Sequence, residues 1–147
     1  MREFKGRVIV QGAVSAEALV TRTGFNTLAS FQKAIMFGDK NAKCSDQNNS
    51  ELYGKPMAAK ALCLPQTIGS TTGGMVFFTA AELGVQPACL LFSKAIDSLA
   101  AAGVILAGVW SHNSMPTVDM LGDEFLDSVK DGMRIRVEQD GTVIVEG

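Results

Sequence analysis

At 147 residues the chain has room for one domain with a buried core, and 47% hydrophobic against 19% charged residues excludes a disordered tail. A formal net charge of −2 offers no basic field to a phosphate backbone, and 7% aromatic residues are too few for a base-stacking surface, so nucleic-acid binding is excluded. A mean hydropathy of +0.20 leaves two explanations open, a dense core or an apolar face that another chain covers.

The first predicted strand runs from Phe4 to Val10, where β-branched Val8-Ile9-Val10 is closed by Gly12. Ala18-Leu19-Val20-Thr21 is a short second strand, followed by a turn at Thr23-Gly24. Phe25 to Phe37 is ambiguous: Leu28, Phe31, Ile35 and Phe37 fit a helix loosely, and an irregular packed segment fits as well. Gly38 to Lys55 is a polar interval rich in Asp, Asn and Ser, read as a lid or partner-contacting loop, or else as a mobile surface loop. An apolar strand over Leu62-Cys63-Leu64 ends at Pro65, and the loop Gln66 to Gly74 leads into a helix over Met75–Leu83 that Gly84 stops.

Ala88–Phe92 is the next strand, preceded by Pro87. Ser93 is expected to cap a helix through Ala102, with Asp97 in its middle and Gly103 as its stop, and Val104–Trp110 then reads as an apolar strand. Thr117-Val118-Asp119-Met120 is a short strand, and Asp123–Lys130 a helix whose acidic start and basic end match its dipole. Alternation on both sides of Asp140-Gly141, from Met133 to Val145, is a β-hairpin. With no repeat and no linker, residues 1–147 read as a single α/β domain with a mixed sheet.

The amino terminus carries no long apolar stretch and includes Glu3, so no secretory signal is read and cytoplasmic residence is the expectation. Three widely spaced cysteines are no disulfide framework and form no CxxC pair. Cys63 and Cys89 lie inside apolar runs and are expected to be buried, whereas Cys44 lies in the polar interval. No metal-ligand set is read in this chain.

The segment Gly69-Ser70-Thr71-Thr72-Gly73-Gly74 carries the chemistry. A strand, a Gly/Ser/Thr loop and a helix start present backbone N–H groups and a hydroxyl to an anionic oxygen. The segment lacks the lysine of a P-loop and the spacing of a dinucleotide fingerprint, and it does not match the Gly-x-Ser-x-Gly elbow of serine hydrolases. A Ser-His-Asp triad would have to use His112, the only histidine. Two readings stay open at this level: Ser70, Thr71 or Thr72 caps the helix, or the loop binds a substrate carboxylate and stabilises Ser70 as a base. In the second, the nearest cations in sequence are Lys60 and Lys94, so the missing positive charge must come from a partner.

Around these residues the chain resembles the small subunit, or swivelling domain, of the aconitase X family. The resemblance takes in Gly6, Gly12 and Gly54, the block Leu64-Pro65-Gln66-Thr67-Ile68-Gly69-Ser70-Thr71-Thr72-Gly73-Gly74, Pro87-Ala88, Asp97, Ala101-Ala102-Gly103-Val104-Ile105 and the hairpin after Asp131-Gly132. The block is similar to the bacterial branch, which includes cis-3-hydroxy-L-proline dehydratases giving Δ1-pyrroline-2-carboxylate. The resemblance implies a swivelling β/β/α fold, with a mixed sheet or open barrel and flanking helices. It implies a hydro-lyase subunit active only with a large partner that holds an iron–sulfur cluster, with no cofactor on this chain alone. Ser70 would be the proton acceptor, and Gly69, Thr71, Thr72 and Gly73 would bind substrate. Dehydration of (R)-5-phosphomevalonate, as in the archaeal branch, is the alternative within the same chemistry, and a non-catalytic anion-binding or regulatory module is the alternative of another class. The loop from Gly38 to Asp46 departs from the family's Gly-x-Asp-Pro-x-Thr/Ser-Gly pattern, lacking the proline and second glycine.

Overall fold

Every residue of three short strands is buried, and the other elements are laid around them in a computed structural model that describes residues 1–147. The first half of the chain forms β1 (Arg2–Lys5), β2 (Arg7–Val10), β3 (Val14–Val20), β4 (Phe25–Asn26), α1 (Thr27–Phe37), β5 (Ala61–Leu64) and β6 (Thr67–Ile68). The second forms α2 (Gly73–Glu82), β7 (Cys89–Phe92), α3 (Ser98–Trp110), β8 (Thr117–Asp119), α4 (Asp123–Ser128), β9 (Arg134–Val137) and β10 (Thr142–Glu146).

Eight strands form one mixed sheet in the order β1-β10-β9-β3-β5-β7-β8-β2. The central β3, β5, β7 and β8 run parallel, while β9, β10 and β1 extend one side antiparallel and β2 the other. Consecutive strands β1 and β2 thus lie at opposite ends of the sheet, which curls until its edges nearly meet at Gly6. The Gly6 N–H donates to Gly141 O at 3.2 Å, and a Cβ on Gly6 would stand 2.3 Å from Asp119 O. The single strand expected over Phe4–Val10 is therefore two, divided where only glycine fits.

The buried strands sort their side chains by the two-residue period of a strand. Leu62, Leu64, Leu90 and Phe92 enter a core shared with α1, α2 and α3, whereas Ala61, Cys63, Cys89 and Leu91 enter a second core with α4, β9 and β10. The polar interval Gly38 to Lys55 is bound into the first core by buried Ala42, Cys44 and Leu52. The Asp39 carboxylate accepts from Asn41 and Lys43 N–H, and Asn49 Oδ1 accepts from Glu51 and Leu52 N–H. The segment is neither a simple surface loop nor a lid over the cleft described below.

Asp119 is fully buried and receives Arg7 Nε at 3.0 Å and an Arg7 terminal nitrogen at 2.7 Å. It also accepts the Ile96 N–H at 2.8 Å, which fixes the chain just before α3. That two-pronged pair ties β2 to β8 and sets the entry of a helix that borders the site.

The main departure from the sequence expectation is α3. Residues 98–110 are one helix, with Asp97 as its N-cap, rather than a helix stopped at Gly103 and a strand over Val104–Trp110. Ser93 caps nothing; it follows β7 with its N–H on Leu64 O at 3.0 Å. Gly103 lies mid-helix because α3 crosses α2 there: a Cβ on Gly103 would stand 2.0 Å from Gly74 O, and one on Gly74 would stand 2.1 Å from Leu99 O. The ambiguous Phe25–Phe37 segment is β4 followed by α1, whose buried face is Thr27, Ser30, Phe31 and Ala34. Leu28 and Phe37, expected inward, are on the outside.

Backbone, not a flexible side chain, meets the added methyl in Gly103→Ala. Urea unfolding should show that variant losing about 1–3 kcal/mol, the usual range for an overpacked interior. An unchanged midpoint with an unchanged m-value would mean that the two helices can separate freely.

Candidate active site

Past β5 the chain leaves the sheet through β6, which pairs in parallel with β4 and so lies beside the start of α1. Gly69 follows at φ +95°, and a Cβ there would stand 2.7 Å from Asn26 Nδ2, so backbone and neighbour both require glycine. Ser70 comes next, exposed at the turn. The Thr72 N–H donates to Ser70 Oγ at 3.1 Å, and the Ser70 and Thr72 hydroxyls lie 2.8 Å apart.

Thr72 is the N-cap of α2 yet makes no side-chain capping bond, because its hydroxyl is turned to Ser70. Forgoing such a cap costs a helix about 1 kcal/mol. The capping explanation of the Ser/Thr cluster therefore fails: Ser70 forms a local turn with Thr72, and α2 begins without a side-chain acceptor. Ser70 Oγ gains a fixed N–H, a hydroxyl neighbour and the positive end of α2, all of which favour negative charge on that oxygen.

A cleft of about 210 Å³ opens beside Ser70. Residues 67–71 form one wall, and the first turns of α2 and α3 form the other, with Thr27 of α1 completing the lining. Three helix N-termini thus border one cleft, brought together by the β4–β6 pairing and by the Gly74–Gly103 crossing. The only charged lining residue is Asp97. Its Oδ2 accepts the Ala100 N–H at 3.0 Å and its Oδ1 the Thr67 hydroxyl, so it is engaged with α3 and β6. No lysine, arginine or histidine lines the cleft.

A family model described as the aconitase X swivel domain matches residues 3–145. The chain belongs to that family. It is 30% identical over 145 residues to the phosphomevalonate dehydratase small subunit of Thermococcus onnurineus, covering 98% of each chain. To the subunit of the same name from Aeropyrum pernix it is 38% identical over 94 residues, 64% of this chain and 66% of that one. Among solved structures, the holo-form crystal structure of Thermococcus kodakaraensis aconitase X superposes with a TM-score of 0.82 at 26% identity, covering all of both chains. The mixed sheet with flanking helices is the swivel-domain fold expected from the sequence. The Thermococcus onnurineus and Aeropyrum pernix subunits carry phosphomevalonate in their names, not the hydroxyproline substrate expected from the Leu64–Gly74 block.

Within this aconitase X swivel domain, Gly69, Ser70, Thr71 and Gly73 all line the cleft, whereas Thr72 stands behind Ser70 and faces it. Thr27, Thr67 and Asp97 also line it; Thr67 and Asp97 fall among the residues that carry the family resemblance, whereas nothing in the sequence marks Thr27. Asp97, followed by Ser98 and then the apolar run from Leu99, carries the sequence signal of a helix start, and it is the N-cap of α3. His112 is exposed beyond the far end of α3 and lines no part of the cleft.

An iron–sulfur cluster needs several cysteine thiolates grouped at one place, and this chain's cysteines, divided between two cores, do not fit one. Cys63 and Cys89 are buried in the second core, where loss of solvation pushes the Cys63 thiol well above its ordinary value and that of Cys89 up to about 12. Cys44, expected in a polar loop, is buried as well, and burial raises its thiol. No grouping of three or more His, Cys, Asp or Glu side chains is placed to hold a metal ion, and no helix is long and apolar enough to cross a membrane. At pH 8 the folded chain should therefore leave all three thiols unreacted toward a disulfide reagent, and release all three on denaturation. Rapid reaction of one thiol in the native state would contradict this placement.

Proposed function

We propose that this chain is the proton-accepting small subunit of a heteromeric aconitase X-type dehydratase, with (R)-5-phosphomevalonate as the substrate. The observation that carries the reading is Ser70: an exposed hydroxyl at a cleft of small-molecule size, held by Thr72 and set at a helix N-terminus whose cap is unfilled. The names of the relatives support phosphomevalonate over cis-3-hydroxy-L-proline.

Dehydration of a 3-hydroxy acid removes a proton from the carbon beside the carboxylate and the hydroxyl from the next carbon. Ser70 Oγ, as the alkoxide formed once the partner covers the site, takes the proton and becomes the neutral hydroxyl. The C–H electron pair becomes the new double bond, and the C–O pair departs with the hydroxyl as hydroxide, which carries the negative charge away. Thr72 orients the Ser70 oxygen through its N–H and hydroxyl, and Gly69 and Gly73 let substrate approach the backbone. Thr71, exposed on the rim, offers a further hydroxyl. The iron–sulfur cluster that the resemblance implies belongs to the large subunit.

An apolar surface beside the cleft supports a large partner. Ile68, Met75 and Leu99 are each about half exposed around the opening, and the outer face of α3 continues with Ile105, Val109 and Trp110. α3 carries no charged residue over its whole length, which is unusual for a helix with one side in water.

The test is reconstitution with the large subunit. Ser70→Ala should assemble normally and lose about 10²–10⁴-fold in kcat, the usual contribution of a positioned base, with Thr72→Val falling between it and wild type. Full activity in Ser70→Ala would leave only a non-catalytic module. Phosphomevalonate should exceed cis-3-hydroxy-L-proline in kcat/KM; the reverse order would overturn the substrate alone. Separately, Ile105→Glu with Val109→Glu should abolish co-purification of the large subunit while leaving the melting temperature of this chain unchanged. Retained association would place the interface elsewhere.

A further inference from the structure

Thr27, the first residue of α1, is 2% exposed, and its hydroxyl has no hydrogen-bond partner. It is not needed as a cap, because Asn26 is the N-cap and accepts the Ala29 N–H at 3.1 Å. A buried hydroxyl without a partner is a standing cost, and a valine of the same shape would avoid it. Yet Thr27 lines the cleft, and its Oγ1 lies 3.6 Å from where a Cβ on Gly73 would be. The unpartnered donor thus faces the start of α2, at the place where the three helix N-termini converge.

We propose that this part of the cleft is the subsite for the substrate's carboxylate, with Thr27 Oγ1 donating a hydrogen bond to it. The inference rests on the reading of Ser70 as proton acceptor, and it assigns the acid group next to the reacting carbon to this chain. Three helix N-termini favour an anion, and a hydroxyl donor adds direction. The lining has no lysine or arginine, the side chains that usually receive a phosphate dianion. A singly charged carboxylate is the group these donors match, so the phosphate end of the substrate falls to the large subunit. Holding the carboxylate here also sets the neighbouring C–H toward Ser70, which lines the same cleft.

Two measurements decide it. In the reconstituted complex, Thr27→Val should raise KM by about 10–100-fold, the effect of losing one hydrogen bond to a charged group, and Thr27→Ser should restore it. The melting temperature of Thr27→Val should stay level or rise, since the hydroxyl has no partner to lose. A stability loss with unchanged KM would make Thr27 structural and overturn the proposal. In the second measurement, ¹⁵N-labelled full chain is titrated with acetate and, separately, inorganic phosphate. Acetate should shift the Thr27, Gly73 and Gly74 amides in wild type and in Ser70→Ala, and not in Thr27→Val; a response to phosphate alone, or to neither ion, overturns the subsite. If the wild-type complex turns over neither candidate substrate, the dehydratase reading fails while the titration still judges the carboxylate subsite.

Discussion

The contact of α2 with α3 at Gly74 and Gly103 is the constraint on which the site depends. Backbone touches backbone there, with no room for a methyl on either helix. Two ordinary helices pack with axes about 8–10 Å apart, and side chains at the crossing would spread their first turns. Glycine at both positions lets the start of α2 and the start of α3 share one cleft. The remaining N-terminus, that of α1, arrives by a different route, through the two-residue ladder between β4 and β6. The buried Asp119, receiving Arg7 and the Ile96 N–H, then holds the approach to α3 in place. Fold and site are thus joined by a few close contacts rather than by a general core.

What could be read in the sequence divides along the same line. Strands buried on both faces, such as Leu62–Leu64 and Cys89–Phe92, announce themselves as short apolar runs next to proline, and the β9–β10 hairpin does so by alternation around Asp140-Gly141. The Gly69–Gly74 turn was legible because its residue types have few other uses. α3 was not, because two of its features point the wrong way. A glycine in mid-helix looks like a terminator unless the neighbouring helix is known, and an apolar run exposed on one side looks like a buried strand. Thr27 was invisible for a further reason: it is 43 residues from Ser70 in sequence and belongs to a helix whose inward face is small and polar, Thr27, Ser30 and Ala34 around Phe31.

The high mean hydropathy now has a location. The two cores account for the buried strands, and α3 leaves Ile105, Val109 and Trp110 outside, the face that the proposed partner would cover. A monomer in water gains nothing from such a helix face, whereas a partner that covered it together with the rim residues Ile68, Met75 and Leu99 would close the cleft. Burial of the rim would remove water from around Ser70 and strengthen every charge interaction there.

That closure is required by magnitudes. A helix N-terminus stabilises a nearby anion by about 0.3–1 kcal/mol when exposed and up to about 2 kcal/mol in favourable, partly buried geometry. Three of them acting together supply on the order of 3–6 kcal/mol at the favourable end, or roughly 2–4 pKa units at about 1.4 kcal/mol each. An aliphatic hydroxyl lies further above neutrality than that, so Ser70 cannot be a standing alkoxide on this chain. The same three termini are better matched to a carboxylate, which is already ionised and needs only to be held. On the proposed reading this chain therefore binds charge that the substrate brings, and Ser70 accepts a proton only when a covering surface adds positive potential and excludes water. On that reading an isolated swivel domain with Ser70 in place is half of a site, and its chemistry begins with docking.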